Sequence, residues 1–135
     1  MEGRIKELLI HKAEEARANA YAPYSVYRVG AAILDEQGRI HVGVNVENIS
    51  FGLTVCAERN AVGAMAAAGG REIVAVAVAT RDGGTPCGAC RQVLVEFAPD
   101  PARVLVIGKG EAQAWESTLA DLLPGGFTTQ LKKEQ

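Results

Sequence analysis

Apolar residues fall at Ile5, Leu8, Leu9, Ala13, Ala16 and Ala20, with Lys6, Glu7, Lys12, Glu14, Glu15 and Arg17 between them. Intervals of three and four put the apolar set on one face of a helix, predicted over residues 5–20, and the charged set towards water. Pro23 ends this element, because the residue before a proline avoids helical geometry. Residues 26–34 read as a strand, and Asp35-Glu36-Gln37-Gly38 as a tight connection to a partner over 39–46. So short a loop predicts an antiparallel pair. Residues 56–68 are alanine-rich and predict a helix stopped at Gly69-Gly70, whose small face (Ala57, Ala61, Ala64, Ala68) can pack closely on a sheet.

The unbroken apolar run over 73–80 suits a strand covered on both faces. Arg81-Asp82-Gly83-Gly84 then leads to a helix over 88–97, ended by Ala98-Pro99-Asp100-Pro101, and to a buried strand over 103–107. This alternation of strand, helix and strand predicts parallel central strands in an α/β protein. Beyond Gly108 the pattern gives a short strand near 112–116 and a brief helix over 117–123 with Ser117 as its N-cap. A turn at Pro124-Gly125-Gly126-Phe127 and a frayed end over 128–135 complete the chain, read as one domain, 1–135.

Composition narrows the class. With 135 residues, 48% of them apolar, the chain can bury a proper core. A formal net charge of −2, with Lys132-Lys133 as the only basic doublet, argues against a nucleic-acid surface. No apolar run approaches the ~20 residues a membrane helix needs, and the charged start Met1-Glu2-Gly3-Arg4-Ile5 is unlike a signal peptide. Three cysteines, an odd number, without an export signal point to a reducing compartment and metal use. A cytoplasmic protein is expected.

All three cysteines lie in two segments, Thr54-Val55-Cys56-Ala57-Glu58-Arg59 and Thr85-Pro86-Cys87-Gly88-Ala89-Cys90-Arg91-Gln92. A Cys-x-x-Cys alone fits a redox pair, half a structural zinc site or simple burial. A closed structural site wants four ligands, yet neither His11 nor His41 stands at a ligand-like spacing from a cysteine. A redox pair leaves Cys56-Ala57-Glu58 unexplained. Three thiolates holding zinc with one corner open, and a carboxylate close by to move protons, account for both segments. Each segment precedes predicted helix, where the backbone dipole favours thiolate. Asn45 and Glu47, on one side of an extended stretch leading towards Cys56, form a plausible hydroxyl-binding pair.

These segments resemble the cytidine deaminase family, in its short-chain type with three cysteine ligands. The likeness runs through Ala20-Tyr21-Ala22-Pro23-Tyr24-Ser25, Val29-Gly30-Ala31-Ala32, Gly43-Val44-Asn45-Val46-Glu47-Asn48, both cysteine segments and Leu122-Leu123-Pro124. It implies a three-layer α/β/α fold with a mixed five-stranded sheet, and hydrolysis of cytidine and deoxycytidine to uridine and deoxyuridine in pyrimidine salvage. It also implies one zinc per subunit on Cys56, Cys87 and Cys90, with Glu58 as proton shuttle and the backbone at Ala57 near the pyrimidine carbonyl. Asn45 and Glu47 match the family's sugar-hydroxyl binders. The zinc deaminases commonly carry His at the first ligand position, where this chain has Cys56.

Three thiolates around Zn²⁺ leave a formal −1, so a cation beside the sulfurs would restore Lewis acidity. Arg59 matches the family's arginine in that role and Arg91 is a second candidate. The Glu47 carboxylate would repel a nearby phosphate, which favours free nucleosides over nucleotides. Tyr27 stands where the family commonly stacks Phe on the base, and its hydroxyl needs a partner if buried. Thr85 replaces a usual Ser. Either change can alter tolerance for N4- or ring-modified cytidines. Phe127 matches an aromatic that reaches a neighbouring subunit's site, which implies a homotetramer; otherwise it is a C-terminal core residue. A deaminase of a cytosine-containing antibiotic, of the blasticidin S type, would lack the Asn45/Glu47 pair. A purely structural zinc protein would have no use for Glu58.

Overall fold

The computed structural model describes residues 1–128. Five strands form one mixed sheet in the order β2-β1-β3-β4-β5: β1 (Gly30–Asp35), β2 (Ile40–Val44), β3 (Ile73–Ala79), β4 (Leu105–Lys109) and β5 (Ala114–Thr118). β3 and β4 run parallel, joined through a helix, while β1 is antiparallel to both β2 and β3, and β5 to β4. Alternation along the strands divides the core in two. Ala32, Leu34, Ala75, Ala77 and Ala79 meet Leu9 and Ala13 of α1 (Gly3–Arg17) on one face. Ala31, Ile33, Val76, Val78 and Val106 meet α2 (Ala57–Ala67) and α3 (Gly88–Glu96) on the other. Helices therefore cover both faces, giving the expected three-layer α/β/α architecture.

Several boundaries moved for identifiable reasons. In α1 only Leu9 and Ala13 are buried and Leu8 is exposed, while Ile10 is the further apolar side chain packed against this face. β1 starts at Gly30 rather than at residue 26. Val26 holds a left-handed backbone (φ 60°), and the amide of Val29 bonds to the Asn45 side chain instead of a strand. On α2 the buried face is Ala57, Glu58, Ala61, Val62 and Met65, whereas Ala64 and Ala68 face outward. The close approach comes from the sheet side. A Cβ on Gly43 would stand 2.4 Å from the carbonyl oxygen of Ala57 and the nitrogen of Ala61. β5 extends to Thr118, which pairs with Leu105, so Thr118 caps α4 (Leu119–Leu122) in place of Ser117. No helix among the described residues is long and apolar enough to cross a membrane. The predicted frayed end beyond Thr128 and the Lys132-Lys133 doublet lie outside the described residues.

Candidate metal centre

The N-termini of α2 and α3 converge beyond the carboxyl end of β3. Cys56 is the N-cap of α2; Cys87 caps α3, its sulfur accepting from the Cys90 amide at 3.4 Å. The loop running from Thr80 at the end of β3 delivers Pro86 and Cys87, and the helical turn that follows brings Cys90 alongside. Cys87 and Cys90 sulfurs lie 3.3 Å apart, those of Cys56 and Cys87 4.0 Å, and all three lie within 4.8 Å of one another. Tetrahedral zinc with Zn–S distances of about 2.3 Å requires sulfurs about 3.8 Å apart. The donor set and its spacing fit that ion, with one corner left for a non-protein ligand. Among the described residues this is the one group of His, Cys, Asp and Glu able to hold a metal. His41 instead bonds Asp35 at 2.8 Å, and His11 sits beside Glu15.

The surroundings favour ionisation at Cys56. A hydrogen bond from Cys90 lowers the Cys56 thiol to about 5; burial opposes this and the Arg59 guanidinium assists. The same bond to Cys56, with burial, pushes Cys90 upward. Arg59 Nη2 lies 3.6 Å from Cys56 Sγ and 3.4 Å from the Thr54 carbonyl oxygen, which sets its cation beside one of the three sulfurs. Arg91 is directed elsewhere. Its guanidinium donates to the Pro86 carbonyl at 2.7 Å, the Leu122 carbonyl at 2.7 Å and the Thr85 hydroxyl at 2.9 Å, fastening the Pro86 loop to α4. Glu58, in the first turn of α2, is only 4% exposed. Burial, with the Cys56 charge, raises its carboxyl to about 7.

The polar segment ahead of α2 also assembles here. Val46 bridges Tyr21 on one side and Val55 on the other, which threads Asn45 and Glu47 between the Tyr21 and Cys56 segments. Asn45 accepts from the Val29 amide at 2.9 Å and donates to the Tyr27 carbonyl at 2.8 Å. The Glu47 carboxylate accepts from the amides of Tyr24 (2.9 Å) and Ser25 (3.1 Å) and from the Ser25 hydroxyl. Ser25 Oγ in turn accepts from the Tyr27 amide at 3.0 Å. Those bonds depress the Glu47 pKa, the Ser25 hydroxyl first among them. Ser25, absent from the sequence-based candidates, links Glu47 to Tyr27; no spacing rule signals it. Phe127 is 78% exposed, so it is not a core residue. Its backbone is gripped twice by Gln92, which accepts from the Phe127 amide at 3.2 Å and donates to its carbonyl at 2.8 Å.

Residues 4–107 match the family model for the cytidine and deoxycytidylate deaminase zinc-binding region. A cytidine deaminase of Halalkalibacterium halodurans is 44% identical over 127 residues, covering 93% of this chain and 96% of that one. One from Mycobacterium tuberculosis is 41% identical over 122 residues, covering 89% and 87%. The crystal structure of cytidine deaminase from Burkholderia pseudomallei superposes with a TM-score of 0.84 at 40% identity, covering 94% of this chain and all of the other. The geometry of the sulfurs and these matches agree: the chain belongs to the cytidine deaminase family, in its short-chain branch, with zinc held by Cys56, Cys87 and Cys90.

Proposed function

We propose that the chain hydrolyses cytidine and deoxycytidine to uridine and deoxyuridine with release of ammonia, and that Glu58 carries the protons. The carrying observation is a carboxyl buried beside three converging sulfurs, a side chain able to take a proton and then give it back. Zinc, when bound, supplies Lewis acidity and lowers the pKa of a coordinated water to about 7. The reaction adds the oxygen of water to C4 of the pyrimidine and breaks the bond from C4 to the amino nitrogen. Glu58 accepts a proton from the attacking water and delivers it to ring N3, which makes C4 electron-poor. It then moves the remaining hydroxyl proton to the departing amino group, so ammonia leaves and the C4 carbonyl forms. The backbone at Ala57, fully buried at the start of α2, approaches the pyrimidine carbonyl in this reading.

Asn45 and Glu47 bind the sugar. An ionised carboxylate offers about four acceptor sites, and three on Glu47 serve the 24–25 turn, leaving one for a sugar hydroxyl. The second amide proton of Asn45 is available for another. The same Glu47 charge disfavours a phosphate nearby. Arg59 withdraws charge from the sulfurs. Phe127, exposed and held at its backbone, reaches into a neighbouring subunit's pocket in a homotetramer, and the exposed Ile49, Phe51 and Leu53 supply apolar surface for that assembly. The sheet and helices form one catalytic unit, and reduced thiolates suit a cytoplasmic setting.

An ultraviolet assay on cytidine, deoxycytidine and cytidine monophosphate tests the reading. Metal stripped by a strong chelator should abolish turnover and added zinc should restore it, with both nucleosides preferred over the nucleotide. Undiminished turnover after complete metal removal, or equal use of the monophosphate, contradicts it.

A further inference from the structure

The loop at residues 80–84 is fixed from behind. Gln113 Nε2 donates to the Asp82 carbonyl at 2.7 Å, and Trp115 Nε1 donates to the Gly83 carbonyl at 2.6 Å, so the β4–β5 edge of the sheet holds this backbone in place. Inside the loop the Thr80 hydroxyl accepts from the amides of Gly83 (2.7 Å) and Gly84 (2.9 Å). The Asp82 carboxylate is thereby presented from a rigid support. Its Oδ1 accepts from the Gly84 amide at 3.1 Å and from the Tyr27 phenol at 2.6 Å, a short bond of the kind a charged acceptor makes. The Arg81 guanidinium lies 5.4 Å from the centre of the Tyr27 ring, a further contact from the same loop. At its other end Tyr27 is pinned by its backbone, through Asn45 and Ser25. The ring is therefore anchored at both ends, between the sugar-binding strand end and the loop that leads to Cys87.

We propose that Asp82 is a positioning residue for nucleoside binding, holding the Tyr27 ring in the orientation in which it meets the base. This rests on the reading of Tyr27 as a wall of the base pocket. A ring ordered before the ligand arrives does not have to be ordered by it, and that raises affinity without touching the chemical step. Because Tyr27 supplies a hydroxyl for Asp82 to hold, the tether is a property of this pair; a phenylalanine at the same position has nothing for Asp82 to grip.

Kinetics on cytidine test it with four variants. Tyr27→Phe and Asp82→Ala should each raise KM roughly two- to ten-fold, about what freeing one ordered side chain costs, with kcat and zinc content held. The double variant should raise KM no further than either single one. Asp82→Asn keeps an acceptor oxygen for the phenol and should stay within about twofold of the parent KM. A readout apart from turnover comes from phenol ionisation followed by ultraviolet absorbance. Burial and the Asp82 bond raise the Tyr27 pKa, so this phenol should ionise at lower pH in Asp82→Ala. Multiplying KM effects in the double variant, or a loss of zinc or kcat in Asp82→Ala with KM unmoved, overturn the proposal. Tyr27→Ala separates the two levels. An unchanged KM there removes the pocket-wall reading and the proposal with it, whereas a raised KM there beside a parental KM in Asp82→Ala removes only the positioning role.

Discussion

Glu58 and Asp35 are both carboxylates withdrawn from water, and their surroundings push them in opposite directions. Glu58 has burial and the Cys56 charge against it, so its acid form is favoured up to about 7. Asp35, at the end of β1, is 1% exposed, and burial alone would raise it too. Hydrogen bonds from the His41 ring (2.8 Å), the amides of Arg39 and Gln37 and the Arg39 guanidinium (3.0 Å) outweigh that and hold it well below the usual carboxylate range. A folded-state pKa below the unfolded value of about 3.9 adds stability that is fully present above it and is lost as pH falls through the folded value. Asp35→Asn should therefore cost about 1–3 kcal/mol at pH 7. The gap between the two proteins should narrow below about pH 4, where the parent loses what the variant never had. Urea unfolding at pH 7 and pH 3 measures both; a gap that widens in acid contradicts the assignment. The sequence marked Asp35 only as a turn residue, since nothing local says that a strand end will be roofed by His41 and by Gly70, whose Cβ would stand 2.9 Å from its Oδ2.

At the scale of elements, the metal centre depends on how closely α2 seats on β2. Gly43 permits that contact, and Gly43→Val would drive a side chain into the backbone of Ala57 and Asn60 at the base of the helix. Such overpacking costs about 1–3 kcal/mol or more and would displace Cys56 and Glu58 together. Metal analysis and thermal melting should show reduced zinc and a lowered Tm; full zinc occupancy at parental Tm would contradict this seating. The ligands were legible in the sequence because each sits within a residue or three of a helix start, and Cys56-Ala57-Glu58 together with the Cys-x-x-Cys narrowed the chemistry that either segment alone leaves open. The alternating core faces of β1 and β3 were legible for a similar reason. What stayed hidden was set by contacts across long stretches of chain. Thr118 displaced Ser117 as a cap because β4 pairs with β5 up to that residue, and Arg91, adjacent to a ligand, is claimed by Pro86 and Leu122 oxygens. Asp82 meets Tyr27 only because β1 pairs antiparallel with β3, which sets the residues before Gly30 beside those after Ala79.

For the molecule as a whole, exposed Val26, Ile49, Phe51, Leu53 and Phe127 are large apolar side chains without cover in the single chain. The proposed tetramer would bury apolar surface of this kind. In the proposed tetramer Phe127→Ala should raise KM for cytidine at least about threefold, as loss of a buried aromatic anchor does, with zinc content unchanged. Sedimentation of the parent should show four chains; a monomer with parental KM in the variant would contradict the shared pocket. The central claim concerns a carboxyl beside a sulfur-held metal, and its most direct measurement is cytidine turnover by zinc-loaded Glu58→Gln protein. The account predicts one zinc per chain and a kcat lowered at least about a thousandfold. Turnover near the parental rate, with the zinc in place, would contradict it.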